Sequence, residues 1–240
     1  MTKPTKLIVA PEIFDRFPHV VLGVVTGHGL DNSGGPDSTL PALRLEESHL
    51  RTQFEGVSVS EHPHIAPWRE TYRAFGAKPK DYPSSIENLV RRVTKGDALP
   101  HVNALVDVYN TLSLRYVIPV GGEDLDTIVG DVFLTFATDH EAPVRLLGEP
   151  ESRPPKPGEV IYKDDIGAIC RRWNWKEADR TKLTPRTRNA FLVIEGLPPV
   201  GASIVEGAAH ELARLVKSQC GGAMSTGIVS VGNQRITLSE

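Results

Sequence analysis

The sequence has little cysteine and no long hydrophobic run, and each scarcity excludes a class of protein. Only two cysteines, Cys170 and Cys220, occur among 240 residues, too few for a disulfide framework or a thiolate zinc cluster. No apolar run approaches the roughly 20 residues of a membrane span. The run after Lys6 stops at Pro11 and is too short for a secretion signal. The sequence therefore predicts a protein of the reducing cytoplasm that does not cross a membrane.

Neither sign of charge dominates the chain. The 27 basic and 30 acidic residues give a formal net charge of −3, which excludes a protein that grips nucleic acid with its whole surface. Glycine and proline, at 21 and 19 residues, are in contrast frequent and indicate many turns and short strands. With 40% apolar residues, the chain can bury a sizeable core.

The hydrophobic pattern predicts short strands alternating with amphipathic helices. Strands are expected over residues 6–10, 19–26, 116–120, 129–137, 144–147, 159–163 and 190–195. Helices are expected over residues 43–54, 68–75 and 103–114, and two more should begin at the capping residues Ser84 and Ser203. The last segment should form a hairpin, with strands over residues 228–231 and 234–238 around a Gly232-Asn233 turn.

These elements predict an α+β fold, a single domain over residues 1–240 with a mixed, mostly antiparallel sheet flanked by helices. Residues 148–158 contain four prolines, which indicates a stiff surface connection. The strands on either side are too few for two closed sheets, so we expect this connection to lie within the domain.

Metal, thiol and nucleotide chemistry all have weak support in the sequence. His62 and His64 form a pair without a third ligand at a supporting spacing. Cys220 follows a helix, whereas a nucleophilic thiol favours a helix N-terminus. The glycines of residues 27–35 and 121–122 lack the neighbours of a nucleotide-binding loop. We therefore expect no metal and no cofactor.

Residues 171–188 form a basic strip in a chain of negative net charge. Seven basic side chains and two acidic ones give a local charge of +5, and Trp173 and Trp175 lie among them. Cations that hold phosphates and indole rings that stack on bases are typical of single-stranded nucleic-acid binding. The alternative is a solvated loop that buried tryptophans anchor.

A second dense stretch covers residues 99–126, where a predicted buried helix carries several polar side chains. Asn103, Asp107 and Asn110 are spaced four and three residues apart and share one helix face. A buried polar group without a partner costs roughly 1–3 kcal/mol, so this face is expected to form a pocket wall. The alternative is that Asn103 and Asp107 cap neighbouring loops.

This stretch resembles the editing domain of the phenylalanyl-tRNA synthetase beta subunit, the B3/4 domain, and the freestanding bacterial proteins built around it. Seven residues follow the family pattern in order: Pro100, Asn103, Val106, Asp107, Asn110, Pro119 and Asp124. The similarity extends more loosely over residues 68–197, where residues 72–76 and 171–175 resemble the freestanding subgroup. It implies the family's α+β fold for this core, with residues 1–67 and 198–240 as elaborations.

The resemblance implies a trans-editing deacylase that hydrolyses the ester between a wrong amino acid and the 3′ end of a tRNA. Asn110 falls on a family position that lines the amino-acid pocket, with Asn103 and Asp107 beside it. Gly121 replaces the family's His, so Gly121 and Gly122 would open space and offer backbone amides. Asn174 would help to hold the substrate. Glu195 is the nearest candidate for the acidic residue that the family places on a late strand.

The residues after this glycine pair are acidic: Glu123, Asp124 and Asp126. A guanidinium pairs bidentately with a carboxylate, so the pocket is expected to favour a cationic side chain. Some freestanding relatives clear arginine tRNA charged with an analogue such as canavanine, which fits this expectation. The alternative is that Asp124 caps a turn and Glu123 is solvated.

The expected partner is the aminoacylated 3′ end of a tRNA, which a defined set of side chains would receive. That set comprises Arg171, Arg172, Trp173, Trp175 and Lys176. No side-chain nucleophile is needed, because a pocket that positions water and stabilises the oxyanion can hydrolyse an activated ester. Two other functions stay open: a tRNA- or RNA-binding protein without catalysis, and a sensor of free amino acids.

Overall fold

The computed structural model describes residues 4–239, which form six α-helices, two 3₁₀ turns and twelve strands. The helices are α1 Pro11–Arg16, α2 Pro36–Gln53, α3 Ala66–Ala74, α4 Ser85–Thr94, α5 Ala104–Tyr116 and α6 Ala202–Cys220. The strands are β1 Lys6–Val9, β2 Val21–His28, β3 Val120–Asp124, β4 Val132–Phe136, β5 Val144–Arg145, β6 Ser152–Arg153, β7 Val160–Lys163, β8 Ala168–Arg171, β9 Lys176–Glu177, β10 Asn189–Gly196, β11 Ala223–Val229 and β12 Arg235–Thr237.

The strands divide between two main sheets and one small pair. The larger sheet has the order β12-β1-β4-β7-β8-β9, the smaller has the order β11-β2-β10-β3, and β5 pairs with β6. The β1–β4 pairing is parallel and the other strand pairings are antiparallel. The predicted α+β class with mixed, mostly antiparallel strands is therefore confirmed.

The four-stranded sheet is covered on both faces, because alternate residues of a strand point to opposite sides. On β10, Phe191 and Val193 belong to the core shared with the six-stranded sheet. Leu192 and Ile194 belong to a second core shared with α5 and α6. Helix α6 lies close to β2, since a Cβ at Gly23 would stand 2.9 Å from Val205 Cγ1. The two sheets thus face each other across one core.

The helix starts follow their capping residues in two cases and not in a third. The Ser84 hydroxyl accepts a hydrogen bond from the Glu87 amide at the start of α4, as predicted. Asn103 caps α5 in the same way, through the Val106 amide. The predicted cap at Ser203 is wrong, because α6 begins after Gly201 and no side chain caps it.

Two predicted elements differ from the structure for identifiable reasons. Helix α5 continues to Tyr116 and Val117 then adopts a left-handed conformation, so the strand predicted over residues 116–120 begins at Val120 instead. At the C-terminal hairpin, Ser230 and Asn233 exchange backbone hydrogen bonds around the predicted turn. The strands on either side join different sheets, however, because β11 pairs with β2 and β12 pairs with β1. Within residues 4–239, no helix is long and apolar enough to span a membrane.

Candidate functional site

A cavity of about 320 Å³ lies between the two sheets. Phe191, Val193 and Glu195 line it from β10, because they share the face of that strand that points to the six-stranded sheet. The opposite wall includes Tyr162 of β7 and Cys170 of β8. The rest of the lining comes mainly from residues 120–123 and from the turn between β8 and β9.

Eight residues that the sequence singled out line this one cavity. They are Gly121, Gly122, Glu123, Trp173, Asn174, Trp175, Lys176 and Glu195. These residues come from three separate segments of the chain, which the pairing of β3 with β10 and of β8 with β9 brings together. The cavity is therefore the candidate site.

Glu195 is held in the cavity wall by three donors. Its carboxylate, in a residue 3% exposed, accepts hydrogen bonds from Tyr162 Oη at 2.5 Å, from Trp173 Nε1 at 3.0 Å and from Asn174 Nδ2. Burial raises the pKa of Glu195 to about 7, although the three donors oppose that rise. Asn174 is fixed in turn by the Tyr72 hydroxyl at 2.8 Å. Glu195 is thus a rigid polar group that titrates near neutral pH.

A pair of carboxyl groups, Glu123 and Glu177, forms the acidic part of the lining. Glu123 is 5% exposed, and its Oε2 has no hydrogen-bond partner within the described part of the chain. Burial, and then the charge of Glu177, raise the pKa of Glu123 well above its ordinary value. Burial raises the pKa of Glu177 to about 7, and a hydrogen bond with the backbone of Gly122 opposes this rise. The unsatisfied Glu123 oxygen is free to accept from a ligand.

Glycine occurs at the two positions of β3 for different structural reasons. A Cβ at Gly122 would stand 2.2 Å from Leu192 Cδ2 and 3.0 Å from the Phe191 carbonyl oxygen, so close strand packing requires glycine there. A Cβ at Gly121 would stand 3.2 Å from Glu177 Oε1 and meets nothing else within 4 Å. Gly121 therefore leaves the space in front of the Glu177 carboxylate open, whereas Gly122 leaves none.

Two further polar groups line the cavity. The Ser85 hydroxyl, at the start of α4, is buried without a hydrogen-bond partner among residues 4–239, while the Ser85 amide donates to the Asn174 carbonyl. Burial raises the pKa of the Cys170 thiol well above its ordinary value, so this thiol stays protonated at neutral pH. Ser85 can donate to a ligand, whereas Cys170 supplies no thiolate.

The polar face of α5 lies outside the cavity, which corrects the expected pocket wall. Asn103 caps the helix and bonds to Asn32 and to the Leu183 carbonyl. Asp107 is fully buried and bonds to Thr39 Oγ1 at 2.5 Å and to His101 Nδ1 at 2.6 Å. Asn110 is buried on the same helix and does not belong to the cavity lining. Asn103 and Asp107 join neighbouring segments to α5, the alternative that the sequence left open.

Asp124 and Asp126 also lie outside the lining. The Asp124 carboxylate accepts hydrogen bonds from the Asp126 amide and from Thr187 Oγ1. Asp126 accepts from Asn189 Nδ2 at 2.8 Å. Asp124 therefore caps a turn, and of the three acidic residues after the glycines only Glu123 faces the cavity.

Most basic side chains of the basic strip form ion pairs within the protein, which corrects part of the expected RNA contact. Arg171 is 5% exposed and makes two 2.8 Å hydrogen bonds to Glu159. The Trp173 ring has 0% exposure and packs edge-on against Trp68 and Phe17. A fully buried ring cannot stack on a base, and a guanidinium held in this way has no free fork for a phosphate. Arg180, Lys182 and Lys176 pair with Asp164, Asp179 and Glu149.

Sequence reasoning missed Glu177, Ser85 and Tyr162 as members of the site. Glu177 is one of two acidic residues in the basic strip and pairs across the sheet with Cys170, so a strand register would have placed it at the cavity. Ser85 and Tyr162 carried no comparable signal. Within residues 4–239, no group of three or more His, Cys, Asp or Glu side chains could hold a metal ion.

Comparison with known proteins places the chain in a family. The B3/4 domain model matches residues 67–221. An N-terminal fragment of the phenylalanyl-tRNA synthetase beta subunit from Pyrococcus horikoshii is similar in structure, with a TM-score of 0.47 and 14% sequence identity. The match covers 93% of this chain and 52% of that one, so this chain spans about half the length of the fragment. Among curated proteins none matches. The family model covers more than half of the 240 residues and confirms the resemblance: this chain belongs to the B3/4 domain family.

Proposed function

We propose that this protein is a trans-editing deacylase, which hydrolyses the ester of a mischarged tRNA and holds the amino-acid moiety in the cavity between the sheets. One observation carries the proposal: a cavity of about 320 Å³ with apolar walls contains a buried carboxyl oxygen, Glu123 Oε2, that has no hydrogen-bond partner among residues 4–239. Apolar walls with a few convergent polar groups are typical of small-ligand sites. Membership of the B3/4 family supports the link to tRNA.

The acidic lining favours a cationic ligand. An amino acid esterified to a tRNA carries an ammonium group, and an arginine analogue such as canavanine adds a second cationic head. Glu123, whose Oε2 lacks a partner among residues 4–239, can pair with such a head, and the positive charge of the ligand would favour the ionised form of this carboxyl. We therefore propose arginine tRNA carrying an arginine-like amino acid as the substrate class.

The chemistry needs a base for water and donors for the carbonyl oxygen. In the proposed reaction, Glu177 takes a proton from water as the water oxygen bonds to the ester carbon. The tetrahedral intermediate then expels the ribose oxygen, which receives that proton from Glu177. A base whose pKa lies near the working pH suits this role, and burial raises the pKa of Glu177 to about 7.

Ser85 is the proposed donor to the carbonyl oxygen. Its hydroxyl is buried without a partner in the described chain and lines the same cavity. A preorganised donor stabilises the charge that develops on that oxygen in the transition state. The backbone amide of Gly122 is less suited to this task than the sequence suggested, because it already stabilises the Glu177 carboxylate.

Deacylation of a panel of purified tRNAs, each charged with a different amino acid, tests the proposal. We expect arginine tRNA carrying canavanine to be hydrolysed faster than tRNAs carrying neutral amino acids. Glu123→Gln should lower kcat/KM for the cationic substrate roughly ten- to a hundred-fold, since it removes a hydrogen bond between charged groups. Glu206→Gln, at an exposed position on α6, is the matched control.

Two outcomes would contradict parts of this proposal. An unchanged rate in Glu123→Gln would remove the cationic substrate class. If the wild-type protein hydrolyses none of the esters, the assignment as a deacylase is wrong. The function would then be that of a tRNA- or RNA-binding protein without catalysis.

A sensor of free amino acids is a second candidate, because a cavity of about 320 Å³ suits the volume of an amino acid without its tRNA. Thermal denaturation with free amino acids distinguishes the two. A sensor should gain stability at micromolar ligand, since a ligand that binds only the folded state raises the melting temperature. A deacylase that recognises the ester should not.

A further inference from the structure

The turn between β8 and β9 presents an arginine between two aromatic rings. Arg172 and Trp173 both have left-handed backbone conformations, with φ of 49° and 64°. This turn directs the Trp173 ring into the core and the Arg172 guanidinium to the opposite side. There the Arg172 Cζ lies 3.7 Å from the centre of the Tyr82 ring and 4.5 Å from that of Trp175. Non-glycine residues in this conformation are uncommon, and pairs of them call for a reason.

The stacked arginine forms one wall of a groove of about 580 Å³, separate from the cavity between the sheets. The opposite wall comes from the proline-rich connection between β5 and β7, with Arg153, Pro154 and Lys156. This connection, expected from sequence to be a stiff surface segment, thus frames a polar groove.

The charges around the groove do not cancel. Four cations line it, Arg153, Lys156, Arg171 and Arg172, and a fifth, Lys176, lies beside it in an ion pair with a lining carboxylate. They face three carboxylates, of which Glu149 pairs with Lys176 and Glu151 pairs with Arg153. Glu159 serves both remaining arginines, but it makes two hydrogen bonds to Arg171 and lies 3.8 Å from Arg172. An excess of two positive charges remains, carried by Lys156 and Arg172.

The groove and the cavity share Trp175, which lines both. The groove and the cavity are therefore neighbours, so the units next to a ligand end that enters the cavity would lie at the groove. A chain with one negative charge per unit and flat rings between the charges matches the groove: a phosphate can meet the exposed Lys156, and a ring can stack on Trp175.

We propose that this groove binds the last nucleotides of a single-stranded RNA 3′ end, with a phosphate at Lys156 and a base against Trp175, while the buried Arg172 holds the Tyr82 and Trp175 rings in place. The proposal rests on the proposed function, because it explains how the esterified end reaches the cavity. It adds Tyr82, Arg153 and Lys156 to the surface that contacts RNA and assigns Arg171, Arg172 and Trp173 to its support.

Fluorescence anisotropy with a labelled single-stranded RNA that ends in CCA and carries no amino acid tests the groove. We expect Lys156→Glu to weaken binding about ten-fold or more and to reduce the slope of log affinity against log salt by about one. Trp175→Ala should weaken binding roughly five- to a hundred-fold through lost stacking. Arg214→Glu, an exposed position on α6, is the matched charge reversal on the far side of the four-stranded sheet and should bind as the wild type does.

Three results would overturn RNA binding by the groove: wild-type affinity in Lys156→Glu, an equal loss of affinity in Arg214→Glu, or equal binding of an acidic peptide of the same charge as the RNA. This RNA carries no aminoacyl ester, so its binding is independent of hydrolysis. Normal deacylation with no oligonucleotide binding would contradict the groove alone. Binding as expected with no hydrolysis of any ester would contradict the deacylase alone.

Discussion

The Glu177 carboxylate lies directly in front of Gly121, where a Cβ would stand 3.2 Å from Glu177 Oε1. This arrangement couples the shape of the cavity to the position of its candidate base. A methyl group at residue 121 would press on the carboxylate without touching the backbone of a neighbouring strand.

The two glycines should therefore respond differently to alanine. We expect Gly121→Ala to fold normally and to raise KM, because the methyl group fills the space in front of Glu177. Gly122→Ala should lower the melting temperature strongly, because its Cβ would stand 3.0 Å from the Phe191 carbonyl oxygen and still closer to Leu192. Thermal denaturation and steady-state kinetics of both variants check this, and equal melting temperatures would contradict it.

Glu177 gives the proposed reaction a defined pH dependence. Burial raises the pKa of Glu177 to about 7, and only the ionised carboxylate can take a proton from water. We expect kcat/KM to rise with pH and to level off above about pH 7. Glu177→Gln should lower the rate by roughly 10² to 10⁴ and remove this rise. The same pH profile in the variant and the wild type would show that another group is the base.

Glu195 should make the protein less stable as the pH rises. Burial raises the pKa of Glu195 to about 7 from an ordinary 4.5. Between those values the folded state binds more protons than the unfolded state, so the free energy of unfolding falls with increasing pH. Glu195 therefore lowers the free energy of unfolding by about 3 kcal/mol above pH 7, and this loss is absent below about pH 4.5.

Urea unfolding of Glu195→Gln and of the wild type at pH 5 and pH 8 measures this loss of stability. The variant should lose less stability than the wild type between the two pH values. Glu151→Gln, at an exposed position, should follow the wild type, and parallel behaviour of all three proteins would rule the assignment out.

Asp107 should matter for stability. Its buried carboxylate joins Thr39 of α2 and His101 to α5, so Asp107→Ala would leave these partners unpaired. We expect a loss of about 3 to 5 kcal/mol in the free energy of unfolding, as for other broken buried pairs. Asp97→Ala, at an exposed position, is the control. A similar stability of the two variants would return Asp107 to the group of candidate ligand-binding residues.

Local sequence signals predicted the elements better than their partners. The β-branched run of residues 20–25 predicted a buried strand, and β2 is buried on both faces. The Gly232-Asn233 turn was equally clear, yet the strands that it connects pair in different sheets. A turn motif fixes only the direction of a few residues, whereas the sheet that a strand joins depends on distant residues.

The candidate site shows the same limit. Glu123 was predicted because it follows a glycine pair, and Glu195 because the family resemblance implies an acidic residue on a late strand. Glu177 was missed because its neighbours in the sequence are basic, which is typical of a solvated surface. Trp173 and Arg171 were expected to face RNA, but the left-handed turn at residues 172–173 places the ring in the core. Composition identified the segment, and only backbone geometry decided which side chains point outward.

The pairing of β1 with β12 brings the first and the last strand side by side, with Lys6 opposite Thr237. A linker of a few residues could join them without disturbing either sheet. New ends could then be cut in the proline-rich surface segment between β5 and β7. Such circular permutation succeeds at exposed connections of this kind, and it would make the groove wall an open end to which a tethered RNA or reporter can be attached.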